Sequence, residues 1–291
     1  MRESKQDRLL SAIIVIVMTC FALCFIIPFL LVLGTSLVSA EEYAARGMVI
    51  IPHEPTLATY KLLLTTTKEI WTAMAVSVFR TVFGTALSLI TSAMLAYGLS
   101  KPVPGRNVVV TMLFITLIFN GGLIPNYILA SNLRLTDTIW CMILPNMING
   151  WNVFVLRNFF NSLPSSLEEA AIIDGASQYQ IFSKIYLPLS KPALVTIGIY
   201  YAVANWNSWF DAAIYINKKI DLWPLQLIVK KYVASADTYA LQSALVGGVQ
   251  RPPSMTIKAC VIVITALPML LIYPFLQKYF VKGIIMGSVK E

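Results

Sequence analysis

The chain has 291 residues, of which 57% are hydrophobic and 12% charged, and its mean hydropathy is +0.73. A soluble domain carries about twice that share of charged residues. So little charge cannot cover a water-facing surface, and the composition also excludes a disordered or collagen-like chain. The sequence therefore predicts a membrane protein, provided that its apolar residues form runs long enough to cross a bilayer.

Six apolar runs meet that condition, because a membrane-spanning helix needs roughly 20 mostly apolar residues. They cover residues 9–37, 72–100, 107–131, 136–160, 192–216 and 256–280. Strands are excluded because the runs are continuous rather than alternating. Within the third run, Asn120, Gly121, Gly122 and Pro125 predict a kink or a break. We predict an all-α polytopic membrane protein that forms one transmembrane domain over residues 1–291.

The net charge of +8 does not indicate a nucleic-acid partner, because the basic residues are scattered between the apolar runs. This distribution is typical of the flanks of membrane helices, so the expected contact is with lipid. Short loops carry slightly more basic residues on the side of the N-terminus, which favours both termini inside. The charge rule alone does not settle this orientation.

Residues that commonly carry catalysis or bind metals are scarce. The only histidine is His53, and the four cysteines (Cys20, Cys24, Cys141 and Cys260) lie inside the runs without a CxxC pair. Such cysteines are typical apolar packing residues. We therefore expect neither catalytic residues nor a metal site in this chain.

The segment between the fourth and fifth runs predicts the start of a new helix. Pro164 ends the preceding helix, and either Ser165 or Ser166 is suited to cap the next one. Glu168 and Glu169 stand three residues after these serines, which is the spacing of a capping box. Acidic residues also favour a helix N-terminus.

The same segment predicts a second helix and a turn before it. Ala170 and Ala171 form a small apolar face, and Gly175 permits a turn that a side chain would resist. A second short helix then continues to Leu187 and Pro188. The expected product is a helical hairpin outside the bilayer, with a small-residue face that a partner groove can accept.

This hairpin resembles the EAA loop of type I ABC importer permeases. The resemblance lies in Glu169, Ala170, Ala171, Gly175, Ile185, Leu187 and Pro188, at the spacing of that loop. The neighbouring Asp174 makes the chain similar to the carbohydrate-uptake branch, in particular to the smaller permease subunit of maltose-type importers. Residues 119–125 and 280–287 are similar to the polysaccharide-lyase-associated permeases (YtcP- and LplC-like) that import complex oligosaccharides.

The resemblance implies an orientation and a role for the hairpin. In that family the EAA loop is the coupling helix that docks on the ATPase at the cytoplasmic face, so the loop at 161–191 and both termini are expected inside. Glu169 is the implied polar contact, Ala170 and Ala171 the close-packing face, and Gly175 the turn. The tail at 282–290 either reaches between the ATPase subunits or forms a solvated basic end, and both possibilities stay open.

The resemblance also implies a set of partners. No G-x-x-x-x-G-K-[ST] sequence is present, so the chain itself cannot bind ATP phosphates. It is expected to bind no cofactor and to be no enzyme, with ATP and Mg on a separate ATPase. The implied partners are a second homologous permease subunit, a cytoplasmic ABC ATPase dimer and an extracellular or periplasmic solute-binding protein. The implied function is a permease subunit in the bacterial plasma membrane that forms half of the path for an oligosaccharide.

Polar residues inside the runs are candidates for that path, because polar groups are costly in a membrane. The candidates are Asn205, Trp206, Asn207, Trp209, Asp211, Arg80, Asn149 and Asn152. The cluster at 205–211 either lines a path for sugars or forms an aromatic belt at the interface. Arg80 either lines a path for anionic sugars, or snorkels outward or pairs with Asp211. Asn149 and Asn152 either line the path or bond between helices.

Two other classes of protein fit the sequence less well than an importer. An ion-coupled secondary transporter of a small polar solute needs intramembrane carboxylates and inverted repeats. Asp211 is the only strong carboxylate candidate, and no repeat is visible. A membrane-embedded enzyme or receptor would leave the spacing from Gly175 to Pro188 unexplained.

Overall fold

The computed structural model describes residues 5–234 and 253–288, and all regular elements in these ranges are helical. The chain forms two compact units, one with residues 1–68 and 229–269, the other with residues 69–228 and 270–291. Within the described ranges, three helices are long and apolar enough to cross a membrane: Leu9–Ser36, Lys68–Ser100 and Ser254–Ile272. A bent pair, Gln178–Leu189 and Lys191–Asn207, adds a fourth candidate if it counts as one span.

The first unit contains the helices Lys5–Ser36, Ala40–Arg46 and Ala58–Thr66 and the beginning of Ser254–Ser288. Its contacts converge on the end of the first helix. The Tyr60 hydroxyl donates to Ser36 Oγ at 2.7 Å, and the Cys260 thiol donates to the Ser36 carbonyl at 3.2 Å. A side chain on Gly34 would place its Cβ only 2.2 Å from the Ile50 carbonyl, so this close approach requires glycine.

The second unit is built around the unbroken helix Lys68–Ser100. Other helices of this unit include Arg106–Ile118, Leu123–Asn132, Trp140–Ile143, Gly150–Asn161, Ser165–Ile173, Gln178–Ile181, Leu187–Leu189, Lys191–Asn207 and Phe210–Tyr215. A π-helix covers Phe182–Tyr186 and a 3₁₀ helix covers Ile220–Leu222. One buried cluster includes Leu99, Leu156, Phe160, Ile181 and Ile197, and another includes Cys141, Met142, Ala212 and Ile216.

Three of the predicted runs are divided into two helices each. In the third run the helix ends at Ile118 and the next begins at Leu123, because Gly122 adopts a φ of +90°. The Asn120 side chain accepts the Gly122 N–H at 2.9 Å and stabilises this connection. The glycines therefore break the third run rather than merely kinking it.

The breaks in the fourth and fifth runs have other causes. Pro145, which has no backbone N–H, follows the short helix Trp140–Ile143, and the next helix begins only after Asn149. Asn149 caps that helix by accepting the Asn152 N–H at 3.2 Å. In the fifth run, Ser208 is extended and Trp209 is also non-helical, so the two residues separate two helices. In the last run the helix continues through Ser288, and the end of the predicted tail lies outside the described residues.

Candidate functional site

Between the fourth and fifth runs the structure has a helix at Ser165–Ile173 and a second helical segment from Gln178, with a turn at Gly175 between them; we call this segment the hairpin. Gly175 has a φ of +78°, a left-handed conformation that side chains disfavour. The Gly175 N–H donates to Ile172 O at 3.0 Å and the Ala176 N–H donates to Ala171 O at 2.9 Å. These two bonds are those of a Schellman motif, so the prediction that Gly175 ends the first helix is confirmed.

The predicted cap of that helix is wrong. The helix begins at Ser165 itself, and Pro164 occupies the preceding position without a side-chain cap. Neither Ser165 nor Ser166 therefore stands where a side chain can cap the helix. The capping box forms in the second helix instead: Ser177 Oγ accepts the Gln180 N–H at 3.3 Å, and Gln180 Oε1 accepts the Ser177 N–H at 2.8 Å.

The second helix of the hairpin contains a π-helical segment at Phe182–Tyr186, directly before Pro188. A proline ring crowds the carbonyl four residues earlier and donates no hydrogen bond, and a wider helical turn relieves both problems. Beyond Leu189 the chain bends by 81° into Lys191–Asn207. The Leu187–Pro188 pair therefore lies just before the bend that leads into the fifth run.

The motif residues divide between two sides of the hairpin. Exposed positions are Glu169, Ala170, Asp174, Gly175 and Pro188. They are joined by large apolar side chains that the motif does not include, with Ile172 52% exposed, Ile173 85% and Tyr179 76%. Ala171, Ile185 and Leu187 instead pack against the buried cluster of the second unit. One side of the hairpin is therefore anchored, and the other faces away from the chain.

A polar cluster that the sequence pattern did not reveal lies on the anchored side. Lys101 pairs with Glu168 Oε2, and its ammonium donates to the Tyr186 hydroxyl at 2.8 Å. The Tyr186 hydroxyl in turn donates to the same Glu168 oxygen at 2.8 Å. The Lys101 ammonium also lies 4.2 Å from the ring centroid of Tyr186 and 4.7 Å from that of Tyr97.

This cluster shifts the pKa of two of its members. Burial raises the pKa of Glu168, but the hydrogen bonds from Lys101 and Tyr186 outweigh it, so the pKa lies below the ordinary value of 4.5. Burial, followed by the hydrogen bond to Glu168 and its negative charge, raises the pKa of Tyr186 to about 12. At neutral pH Glu168 is therefore an anion and Tyr186 a neutral hydroxyl.

A second ion pair lies deeper in the same unit, between Arg80 and Asp211. The Arg80 side chain is 1% exposed, its Nη1 donates to Asp211 Oδ1 at 3.1 Å, and its Nη2 pairs with Oδ2. The pairing with Asp211, one of the alternatives for Arg80, is present. Sequence spacing gives no hint of partners 131 residues apart beyond their opposite charges.

Arg80 also holds the backbone at two helix breaks. Its Nη1 donates to the Ser208 carbonyl at 3.2 Å and its Nη2 to the Met142 carbonyl at 3.3 Å. Both carbonyls lie at or just before a break, where the regular helical donor is missing. All four terminal N–H groups of Arg80 are thereby engaged, and the buried Nε finds no partner within the described residues.

A cavity of about 650 Å³ lies beside this arginine. Its lining is rich in amides, hydroxyls and aromatic rings: Arg80, Pro145, Asn146, Ile148, Asn149, Trp151, Asn152, Tyr200, Tyr201, Ala204, Asn205 and Ser208. The Tyr201 hydroxyl accepts the Asn149 N–H at 3.1 Å and shares a hydrogen bond of 2.7 Å with Ser92. Asn146, Tyr200 and Tyr201 were missed from the sequence, because isolated polar residues near a break give no periodic signal.

The predicted path residues do not all meet at this cavity. Arg80, Asn149, Asn152 and Asn205 line it. The other predicted residues lie elsewhere. Trp206 is buried, Asn207 is exposed, and the Trp209 ring packs against that of Phe210 with 5.6 Å between the ring centroids. Asp211 lines a second cavity of about 790 Å³. The cluster at 205–211 therefore contributes to several surfaces. Within the described ranges no group of three or more His, Cys, Asp or Glu side chains could hold a metal ion.

Comparison with known proteins places this geometry in a wider context. The model of the family described as "Binding-protein-dependent transport system inner membrane component" matches residues 1–285. Two curated relatives come from Bacillus subtilis (strain 168). The polygalacturonan/rhamnogalacturonan transport system permease protein YtcP is 40% identical over 286 residues, covering 98% of this chain and 99% of its own length. Protein LplC is 42% identical over 271 residues, covering 91% and 89%.

A solved structure is similar over nearly the whole chain. It is the crystal structure of a bacterial ABC transporter involved in the import of the acidic polysaccharide alginate. One of its chains is 33% identical, with a TM-score of 0.87, and the match covers 96% of this chain and 99% of that one.

Proposed function

Because the chain belongs to the family of binding-protein-dependent transport system inner membrane components, we propose that it is a permease subunit of an ABC importer for an oligosaccharide. A relative named for the transport of polygalacturonan and rhamnogalacturonan, and a similar chain in an alginate importer, support this substrate class. In this proposal the chain has six spans, three of them interrupted, with both termini and the hairpin in the cytoplasm. A second permease subunit, an ATPase dimer and an external binding protein complete the importer.

The observation that carries this proposal is the outward side of the hairpin. Ile173 is 85% exposed and Tyr179 76% exposed on a segment whose opposite side is anchored in the core. Large apolar side chains that cluster on an exposed surface mark an interaction site. Glu169 and Asp174 add negative charge beside them. We assign this side to the ATPase, with Ala170 permitting close approach and Ala171 serving the anchor instead.

Co-purification tests this assignment. The chain is expressed with the permease, ATPase and binding-protein genes beside it, and the complex is isolated through a tag on the second permease. We expect Ile173→Asp and Glu169→Lys to lose the ATPase while the two permeases stay together. Ser166→Ala, exposed on the same helix, is the control and should retain the ATPase. Full retention of the ATPase by Ile173→Asp would contradict the assignment.

We place part of the substrate path at the cavity of about 650 Å³. Its amides suit sugar hydroxyls, which need paired donors and acceptors, and its aromatic rings suit the C–H faces of sugars. Arg80 contributes packing rather than a free charge, because its terminal N–H groups are engaged. This arrangement favours recognition of hydroxyl groups by Asn149, Asn152 and Asn205.

Uptake into proteoliposomes tests the path. We expect Asn152→Ala and Asn205→Ala to raise the KM for labelled oligosaccharide while the ATPase still co-purifies. Asn158→Ala, an exposed amide on the same helix as Asn152, is the matched control. Unchanged uptake kinetics in both cavity variants would place the path elsewhere.

The ion-coupled alternative finds little support at Asp211. Its Oδ1 accepts from Arg80, from the Ser208 hydroxyl at 3.1 Å and from the Ala212 N–H at 2.8 Å, and its Oδ2 pairs with Arg80. A carboxylate this fully engaged is poorly suited to bind and release a coupling ion. We expect uptake to require ATP and to persist when an ionophore dissipates the ion gradients. ATP-independent, ionophore-sensitive uptake would favour the alternative.

A further inference from the structure

The hairpin is attached to the rest of the unit by more than its chain connections. The chain joins it to the helices Gly150–Asn161 and Lys191–Asn207, yet its polar contacts go to the end of Lys68–Ser100. Lys101, directly after that helix, pairs with Glu168 and donates to Tyr186. The hairpin therefore makes a direct contact with a helix far from it in sequence.

Both helices of the hairpin take part in this contact. Glu168 lies on the first helix, and Tyr186 and Gln178 lie on the second. Gln178 Oε1 accepts a hydrogen bond of 2.7 Å from the Tyr97 hydroxyl, and the Tyr97 ring lies 4.9 Å from the rings of Phe182 and Tyr186. The final turn of Lys68–Ser100 is thus held from both halves of the hairpin at once.

The preceding helix reinforces the same end. The Arg157 side chain donates from Nε to the Leu99 carbonyl at 2.9 Å, which satisfies a carbonyl at the helix terminus. The Lys101 and Glu168 side chains are only 15% and 20% exposed, so their pairing is partly shielded from water. A shielded, charge-assisted contact is directional and stronger than one on an open surface.

The same helix is also fixed beside the cavity, at Arg80 in its first half. Arg80 lies twenty residues before Ser100, a distance of about 30 Å along a helix that rises about 1.5 Å per residue. There it holds Asp211 and the carbonyls of Ser208 and Met142. Among the predicted runs within residues 69–228, this is the one that the structure shows as an unbroken helix. The broken runs contain non-helical joints that can absorb a displacement.

From this arrangement we infer that Lys101, Glu168 and Tyr186 form a mechanical link that transmits movement of the hairpin along the helix Lys68–Ser100 to the cavity. The inference rests on the proposed function and names the helix through which the ATPase acts. Lys101, Glu168 and Tyr186 are positioning residues, because they touch neither ATP nor substrate. Loss of the link leaves the ATPase docked but disconnects its hydrolysis from movement at the cavity.

The test uses the assembled importer in proteoliposomes and measures ATP hydrolysed per oligosaccharide imported. We expect Lys101→Met and Glu168→Gln to raise this ratio at least about fivefold, which is the lower range of measured couplings between sites. Tyr186→Phe, which removes one hydroxyl, should raise it less. The exchanged pair Lys101→Glu with Glu168→Lys should restore the ratio toward the wild-type value. Lys184→Met, an exposed lysine on the same hairpin, should leave it unchanged.

Each result separates the link from the proposed function. If the wild type shows no ATP-driven uptake, the proposed function fails before the link is tested. If the wild type imports and Lys101→Met and Tyr186→Phe leave the ratio unchanged, the link is overturned. The link is also overturned if Lys101→Met loses the ATPase from the complex, because the lysine would then serve docking. An increased ratio with the ATPase retained, reversed by the exchanged pair, supports the link.

Discussion

Two ion pairs, one within the helix Lys68–Ser100 and one directly after its end, illustrate two uses of opposite charge. Arg80 is 1% exposed, meets both oxygens of Asp211 and also holds two backbone carbonyls. Lys101 is 15% exposed and shares one oxygen of Glu168 with a tyrosine hydroxyl. The planar guanidinium suits a fixed junction of several acceptors, whereas the flexible lysine suits a contact between elements that shift. The comparison predicts large structural costs at the deep pair and small ones at the hairpin.

The largest expected effect comes from removing Asp211. Asp211→Ala leaves a buried guanidinium without its counter-charge, and we expect a loss of about 3–5 kcal/mol in the free energy of unfolding. The measurement is the thermal unfolding of the purified protein in detergent. Asp221→Ala, at an exposed aspartate of the same unit, is the control and should change little. If Asp211→Ala unfolds at the same temperature as Asp221→Ala, the deep ion pair does not have the large structural role that distinguishes it from the Lys101–Glu168 pair.

A smaller effect is expected from the turn of the hairpin, which depends on backbone conformation rather than on charge. Nothing lies within 4 Å of a Cβ placed on Gly175, so Gly175→Ala causes no steric clash with neighbouring residues. Its only cost is the strain of an alanine held at a φ of +78°. We expect a loss of about 1–2 kcal/mol. Gly98→Ala, also free of contacts within 4 Å but in an ordinary helical position, should be neutral or slightly stabilising. Thermal unfolding distinguishes them, and similar shifts would argue against a strained turn.

The cap of the second hairpin helix is expected to contribute less. Ser177→Ala removes the capping box with Gln180, and we expect a loss of about 1 kcal/mol. Ser165→Ala should cost less than about 0.5 kcal/mol, because that side chain caps nothing. Hydrogen exchange of the hairpin amides reports both changes locally. Faster exchange in Ser165→Ala than in Ser177→Ala would reinstate the cap predicted from sequence.

The smallest expected effect is the pH dependence of the Lys101–Glu168 pair. The pKa of Glu168 is lowered in the folded chain, so the pair stabilises fully above the ordinary glutamate value of 4.5. That contribution is lost as the pH falls through the folded pKa. We expect Glu168→Gln to reduce the loss of stability on acidification by less than about 1 kcal/mol. The comparison is a series of thermal unfolding curves from neutral to acidic pH, and identical acid sensitivity would show that the pair contributes no stability.

Local chemistry explains what the sequence revealed. The turn at Gly175 follows from a residue that tolerates a left-handed φ, and the division of the third run follows in the same way from Gly122. The capping-box spacing occurs at Ser165, at Ser166 and at Ser177. The sequence alone does not distinguish the box that forms, at Ser177, from the two that do not. Apolar runs also conceal the breaks at Pro145 and Ser208, because hydropathy is averaged over a window longer than the break.

Contacts between distant segments explain what the sequence could not reveal. The pairing of Arg80 with Asp211 was an alternative that charge suggested, but its bonds to Met142 and Ser208 depend on where the helices break. Lys101 stands directly after a predicted span, where basic residues are common. No local sequence pattern predicts its pairing with Glu168, which lies 67 residues later. The anchored side of the hairpin was hidden for the same reason, since Ala171 and Ala170 are chemically identical.

The engagement of Arg80 has a consequence for how such a permease can change its cargo. The guanidinium of Arg80 donates to backbone carbonyls at the breaks in the fourth and fifth runs. The amides of Asn149, Asn152 and Asn205 line the cavity beside it. In the proposed path, Asn152 and Asn205 would set selectivity while Arg80 holds the breaks, and Asn149 would serve both purposes because it also caps its helix. If the proposed path is correct, we expect exchange of Asn152 or Asn205 to alter the preferred substrate in single mutational steps, while the charged junction stays constant.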